Sequence, residues 1–451
     1  MESTAEQHDD YALSRVPTGR RHHWFSIAVQ RFGMLSSLAS FLIGATLGFG
    51  MTFWDAVLAI TFGAVVLEIV TIFTGIAGQR EGLSTSVLAR WTGFGRAGSS
   101  LIGLAISVSA LGWFGIQNAV SAQGLVSLIG VLPLWAWALV FGLTVTGIVM
   151  LGIGSMAWTA YIAVPAFLAL AGWSIISELS RHDLGDLLHA APAGPQLSLL
   201  QGTSIVAGGF IVGAVITPDM SRFNRTSGDV VKQTVVGISL GEYVIGLIGV
   251  LLALALRTND VVAIVTSTSG FLGTLVIIAA TLKINDWNLY AASLGIVNFV
   301  DQVFGRRVHR TLVTLVVGIL GSVLGAVGIL DRFTDFLVLL SVVFPPIAGI
   351  MVAEYFLGRV WRPELDASRE RGALPDTAPT WVPAALAVWA CASLIGHFVE
   401  WGLPSVNSVV VAMVLYLALA RLGLVRGVGR SATHLPPTTP STAAGRRASA
   451  G

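Results

Sequence analysis

The chain has 451 residues, of which 54% are hydrophobic and only 11% charged, with a mean hydropathy of +0.80. Soluble domains carry about 25% charged residues, so a string of soluble domains is excluded in favour of one polytopic, all-α membrane unit. The net charge of +2 gives no sign of a nucleic-acid partner, and the single cysteine, Cys391, excludes an internal disulfide and a cysteine metal cluster.

Residues 1–26 are polar, carry Arg15, Arg20 and Arg21, and contain no apolar core. No cleavable signal is expected there, and the first span serves as the insertion signal. A span takes about 20 mostly apolar residues. That ruler places twelve, near 27–50, 53–77, 98–125, 130–152, 157–178, 201–217, 234–256, 264–298, 312–330, 333–357, 380–402 and 404–424. The Arg- and Glu-rich stretch 359–376 reads as a linker that separates ten spans from a final pair, 380–424. From 427 to 451 the Gly, Ser, Thr, Pro and Ala composition predicts a disordered tail.

Charge placement gives an independent test of that count. With both termini cytoplasmic, 22 of the 26 Arg and Lys residues fall on inner segments, while Arg181, Arg257 and Arg332 fall outside and Lys283 lies inside a span. Positive charge is retained on the cytoplasmic side during insertion. The skew supports an even number of spans in the inner membrane, and an odd number scrambles it.

Along the chain, the first span contains Ser36-Ser-Leu-Ala-Ser40 running into Phe41-Leu-Ile-Gly-Ala-Thr46, and the sixth contains Ala207-Gly-Gly-Phe210 running into Ile211-Val-Gly-Ala-Val215. Paired, interrupted spans in matching positions point to a transporter's binding site, so a break is expected at Ser36–Gly44 and another at Ala207–Gly213. Close packing of small residues is the competing explanation. Between the two, Gly112-Trp-Phe-Gly-Ile-Gln-Asn118 puts Trp113 and Gln117 four apart, on one helix face. An indole beside a buried amide suits a planar solute with a hydrogen-bonding edge, and Phe210 could close the opposite face. An interhelical glutamine bond with tryptophan as filler accounts for the same pair.

The eighth span carries Lys283-Ile-Asn-Asp-Trp-Asn-Leu-Tyr290. Lys283 and Asp286 are spaced to pair on one helix, and ionisable groups at that depth are costly and usually functional. A structural ion pair is the alternative. Asn285 and Asn288 are further candidates to hold the solute. Glu68, Glu242 and Glu354 are candidate proton relays or locally paired acids, and Asp219 with Arg222 forms either a gating pair or a plain loop bridge. No Gly-x-x-x-x-Gly-Lys-Ser/Thr loop and no His-Glu-x-x-His is present, so neither an ATP-driven pump nor a zinc protease is encoded. No bound cofactor is called for; uphill transport would draw on co-transported H+ or Na+.

At Gly112-Trp-Phe-Gly-Ile-Gln117, Thr217-Pro-Asp-Met-Ser-Arg-Phe223 and Asn285-Asp-Trp-Asn-Leu-Tyr-Ala-Ala-Ser-Leu294, the chain resembles the nucleobase–cation symporter-1 family, closest to its cytosine and purine permease branch. The resemblance implies a leucine-transporter-like fold of two inverted five-helix repeats, here 27–178 and 201–357, plus two extra helices. It implies that Trp113 and Phe210 sandwich a base while Gly209 and Asn285 contact its edge, and Gln117 matches a glutamine used by hydantoin-transporting relatives. Ala110 stands where cytosine permeases have a substrate-contacting glutamine, which puts cytosine itself in question. Sodium-coupled members hold the ion between the first-span break, here around Ser37 and Ser40, and hydroxyl side chains on the eighth span, where this chain has Lys283. The reading is a non-enzymatic importer of a nucleobase with no obligatory protein partner. An amino-acid permease of the same fold superfamily, or a membrane enzyme or sensor on this scaffold, are the rivals.

Overall fold

The computed structural model describes residues 11, 13–151, 157–399 and 401–433. Helices α1 (Trp24–Leu35) and α2 (Leu38–Gly50) make the first span and meet at 59°. They are followed by α3 (Phe53–Glu81), the single turn α4 (Thr85–Leu88), α5 (Gly95–Ile129), α6 (Leu134–Met150) and α7 (Ala157–Leu179). The chain continues through α8 (Leu184–His189), α9 (Leu199–Val215), α10 (Pro218–Ser221), α11 (Ser227–Leu256), α12 (Val261–Phe304), α13 (Arg310–Ala326), α14 (Phe333–Val343) and α15 (Pro345–Val352). It ends with α16 (Arg362–Glu370), β1 (Thr377–Trp381), α17 (Pro383–Phe398), α18 (Pro404–Arg421) and β2 (Val428–Ala432).

Among the described residues, six helical stretches are long and apolar enough to cross a bilayer, one of them the composite Ile329–Gly358. The bent α1–α2 pair makes a seventh, and five shorter apolar helices bring the number to the twelve that hydropathy predicts. Local chemistry sets where they start. Thr52 accepts from the Asp55 amide at the head of α3, and reciprocal capping boxes, Ser198 with Gln201 and Thr226 with Asp229, open α9 and α11.

Glycine contacts hold the first span to the seventh. A Cβ at Gly44 would lie 2.1 Å from the Gly246 carbonyl oxygen, and one at Gly48 would lie 2.4 Å from that of Val250. In lipid, where apolar burial favours no particular helix pair, such close approach is what selects partners. Gly44→Ala is therefore expected to destabilise the fold by about 1–3 kcal/mol through overpacking. Gly103→Ala, where nothing lies within 4 Å, is expected to leave the thermal unfolding midpoint of the purified protein unchanged.

Four expectations need correction or refinement. The sixth span does not break at Ala207–Gly213: α9 is helical throughout, and it ends at Ile216-Thr217 ahead of Pro218. Gly208 serves packing instead, since a Cβ there would fall 2.0 Å from the Leu337 carbonyl oxygen of α14. Proline, which lacks an N–H and crowds the preceding turn, sets the stop. The eighth span is longer than hydropathy suggested and is kinked at Gly270, whose φ of 59° and ψ of −148° only glycine adopts easily. The tenth span is interrupted where Phe344 meets Pro345-Pro346. Finally, the tail is not irregular from 427: residues 428–432 form β2, antiparallel to β1 with Thr377 opposite Ala432 and Trp381 opposite Val428. The open edge of the linker strand supplies the pairing that composition alone could not reveal; 434–451 lie outside the described residues.

On the same side of the molecule the N-terminal segment is fastened to the linker. The buried Glu81 carboxylate accepts from Arg15 at 2.8 Å, Tyr355 at 2.7 Å and Arg369 at 2.6 Å, and Arg15 also reaches Ser368 at 2.8 Å. The expected Asp219–Arg222 gate is organised differently. Asp219 accepts from the Thr85 amide at 2.8 Å, while Arg222 donates to the carbonyls of Asp219 and Tyr11. Burial pushes the Asp219 carboxyl above its usual range.

Candidate substrate and ion sites

The middle of α5 carries the aromatic face. Trp113 is half-buried, and its ring meets two rings of α14 edge-on: Phe333 at 6.1 Å and 70°, and Phe336 at 5.5 Å and 85°. Gly112 makes room for this, because a Cβ there would lie 2.4 Å from the Phe336 ring. One turn further along α5, Gln117 is 3% exposed and its Oε1 has no hydrogen-bond partner among the described residues. A buried amide oxygen left unpaired costs roughly 1–3 kcal/mol, which a donor on a bound solute would relieve. Its neighbour Asn118 donates to the Ala138 carbonyl of α6 at 2.9 Å, while its Oδ1 too is buried without a partner among the described residues.

Phe210 of α9 lies over Gly213, where a Cβ would come within 2.6 Å of its ring. Phe210, Trp113 and Phe336 border the same buried cluster. Gly209 faces Ile43 of α2, 2.3 Å from where its Cβ would sit. Phe333 and Phe336 were missed in the sequence. Their only signal was an i, i+3 aromatic pair opening an apolar span, which looks like ordinary lipid-facing pattern.

On α12, Asn285 is fully buried and donates to the Phe114 carbonyl at 3.1 Å, while Asn288 donates to its Oδ1 at 3.4 Å. This pair ties α12 to α5 one residue past Trp113, so the amides stand in the tryptophan layer with part of their hydrogen-bonding capacity already used.

The ion candidates gather at the break in the first span. Ser36 (φ −76°, ψ 66°) and Ser37 (φ −135°, ψ 165°) leave the helix between α1 and α2. Ser36, Ser37 and Leu38 line a cavity of about 290 Å³ together with Lys283 and Ile284 of α12. Lys283 Nζ lies 3.3 Å from Asp286 Oδ1; the two side chains are 18% and 2% exposed. The Ser36 hydroxyl is buried without a partner among the described residues, and Ser40 is buried one turn further along α2. Ser37 and Lys283 thus share one cavity, and Asp286 joins through its ion pair.

Comparison with known proteins settles the lineage. The family model described as permease for cytosine/purines, uracil, thiamine, allantoin matches residues 16–420. The chain belongs to the nucleobase–cation symporter-1 family. It is 30% identical over 430 residues to the cytosine permease of Escherichia coli (strain K12), covering 95% of this chain and 98% of that protein. It is 27% identical over 425 residues to a hydantoin permease of Microbacterium maritypicum, covering 88% and 85%. Among solved structures, the inward-facing conformation of Mhp1 superposes with a TM-score of 0.75 at 23% identity, covering 92% of this chain and 93% of that one. A closed form of Mhp1 with bromovinylhydantoin bound gives 0.69 at 22% identity, covering 91% and 95%. The fold is therefore the leucine-transporter-like one expected of this symporter family, and the chain is a multi-pass membrane permease for small molecules rather than an enzyme.

Proposed function

We propose that this permease imports a nucleobase or closely related planar heterocycle across the inner membrane by alternating access, with both termini cytoplasmic and with protons rather than sodium as the driving ion. The observation that carries the reading is the shared cavity: Lys283 of α12 lines it together with Ser36 and Ser37 of the broken first span. A sodium site there needs oxygen ligands, and Lys283 and Ile284 supply none from their side chains. A tethered ammonium suits the negative ends of the break's carbonyl dipoles and can stand where a free cation would otherwise bind.

For the solute, the unpaired Gln117 oxygen beside Trp113 supports a flat ligand with an N–H edge. The cytosine permease and the hydantoin permease that this chain resembles are named for solutes of that chemical class. The rival amino-acid reading calls for a cluster of free backbone amides to hold a carboxylate, and the aromatic slot serves it poorly. The test is uptake of labelled nucleobases into vesicles reconstituted with the protein. Accumulation is expected to follow an inward proton gradient and to be indifferent to sodium; strict sodium dependence would retire the coupling assignment.

A further inference from the structure

Three membrane-embedded acids were candidates for a proton relay, and the structure separates them. Glu68 accepts from Ser239 at 2.7 Å. Glu354 accepts from the Trp361 amide at 2.8 Å and from Tyr416 at 3.0 Å. Glu242 is 3% exposed and has neither hydrogen bond nor ion pair among the described residues.

Its position follows from the packing of α11 on the first span. A Cβ on Gly237 would lie 2.9 Å from the Arg31 Cβ, one on Gly241 would lie 2.4 Å from the Leu35 Cβ, and Gly246 abuts Gly44. Glu242 therefore stands in the layer between Leu35 and Gly44, level with the Ser36–Ser37 break. The α3 side of that layer is already satisfied by Ser239 with Glu68 and by Tyr243 with Thr61 at 2.5 Å.

Arg31 presents the complementary deficit. It is 0% exposed, its Nε donates to Gln233 at 2.9 Å, and its Nη1 and Nη2 have no acceptor among the described residues. A buried cation short of acceptors and a buried acid without donors thus lie on two helices packed against each other. The remaining charged groups on the elements around α11 lie elsewhere. Glu68 faces it from α3, with Asp55 at that helix's start and Arg80 and Glu81 at its far end, and α2 carries none. Glu178 of α7 lies beside Arg181 and His182, Asp186 and His189 belong to α8, and on α12 Lys283 pairs with Asp286 while Asp301 sits near the helix end. On α11 itself, Asp229 and Lys232 sit at its start.

We propose that Glu242 is a proton-binding site in the layer where α11 packs on the first-span break, protonated in the arrangement seen here. The proposal rests on the proton-coupled reading above and names a second group that reading does not use. An uncompensated carboxylate in such a place costs several kcal/mol, so neutral Glu242 matches the apolar layer and ionised Glu242 demands a counter-charge. Arg31 is not that counter-charge in the arrangement seen here: its Nε bond to Gln233 holds the guanidinium nine residues before Glu242, roughly 13.5 Å along the axis of α11 and on its opposite face. Loss of the proton leaves a charge at the level of the break that forms the Lys283 cavity. Proton occupancy at Glu242 and the ion site are thereby linked.

The test compares wild type with Glu242→Gln and Glu242→Asp in reconstituted vesicles. Glu242→Gln, fixed in the neutral form, is expected to lose proton-driven accumulation at least tenfold while still binding substrate in a thermal-shift assay. Glu242→Asp is expected to keep proton-driven uptake with a displaced pH midpoint, which covers the case in which the glutamine variant does not fold. A proton-driven wild type whose pH profile is unchanged in both variants overturns the role of Glu242 alone. A wild type driven by sodium and indifferent to protons overturns the coupling reading and this site with it.

Discussion

Trp113→Ala is expected to weaken nucleobase binding by roughly 10- to 100-fold while leaving a folded protein. Stacking a base on an aromatic side chain contributes about 1–3 kcal/mol, and each 1.4 kcal/mol is a factor of ten in affinity. The cost to folding is of comparable size and is read separately. Trp113 is only half-buried, and what it loses within the protein is two edge-to-face contacts, with Phe333 and Phe336, each worth about 0.5–1.5 kcal/mol. Trp113→Phe keeps a flat surface and should fall between the two. The measurement is the ligand-induced thermal shift alongside the ligand-free unfolding midpoint. A variant that unfolds normally and binds with wild-type affinity would break the stacking argument, because nothing else on α5 offers a planar face there.

The spans were legible because their signal is bulk apolarity over a length set by the bilayer, and the basic residues checked the count independently. The first-span break was legible too: two serines between apolar runs compete with the backbone for hydrogen bonds. The sixth-span break was misplaced because Ala207-Gly-Gly-Phe210 has two physical meanings, helix unwinding or helix approach. Only the partner decides between them, and here the partner is the Leu337 carbonyl on a helix more than a hundred residues away. Trp113 and Gln117 could be singled out from their spacing, whereas Phe333 and Phe336 could not, since their role arises from how α14 crosses α5 rather than from local pattern. Glu242 was visible only as one of three acids. What distinguishes it is the absence of a partner, a property of packing that no spacing encodes.

Lys283→Thr is expected to abolish proton-driven accumulation, with a drop of at least about tenfold in the steady-state ratio across the membrane. The substitution removes the cation beside the cavity at the helix break and puts a hydroxyl in its place. It also strips Asp286 of its 3.3 Å partner while that carboxylate remains 2% exposed, and breaking a buried pair from one side costs about 3–5 kcal/mol. Loss of transport in the single variant alone would therefore conflate coupling with stability. The double variant Lys283→Thr with Asp286→Asn separates them, because it leaves no orphaned charge. Its unfolding midpoint should recover toward wild type while proton-driven uptake stays lost. Recovery of both would mark Lys283–Asp286 as a structural pair and move the coupling site elsewhere in the bundle.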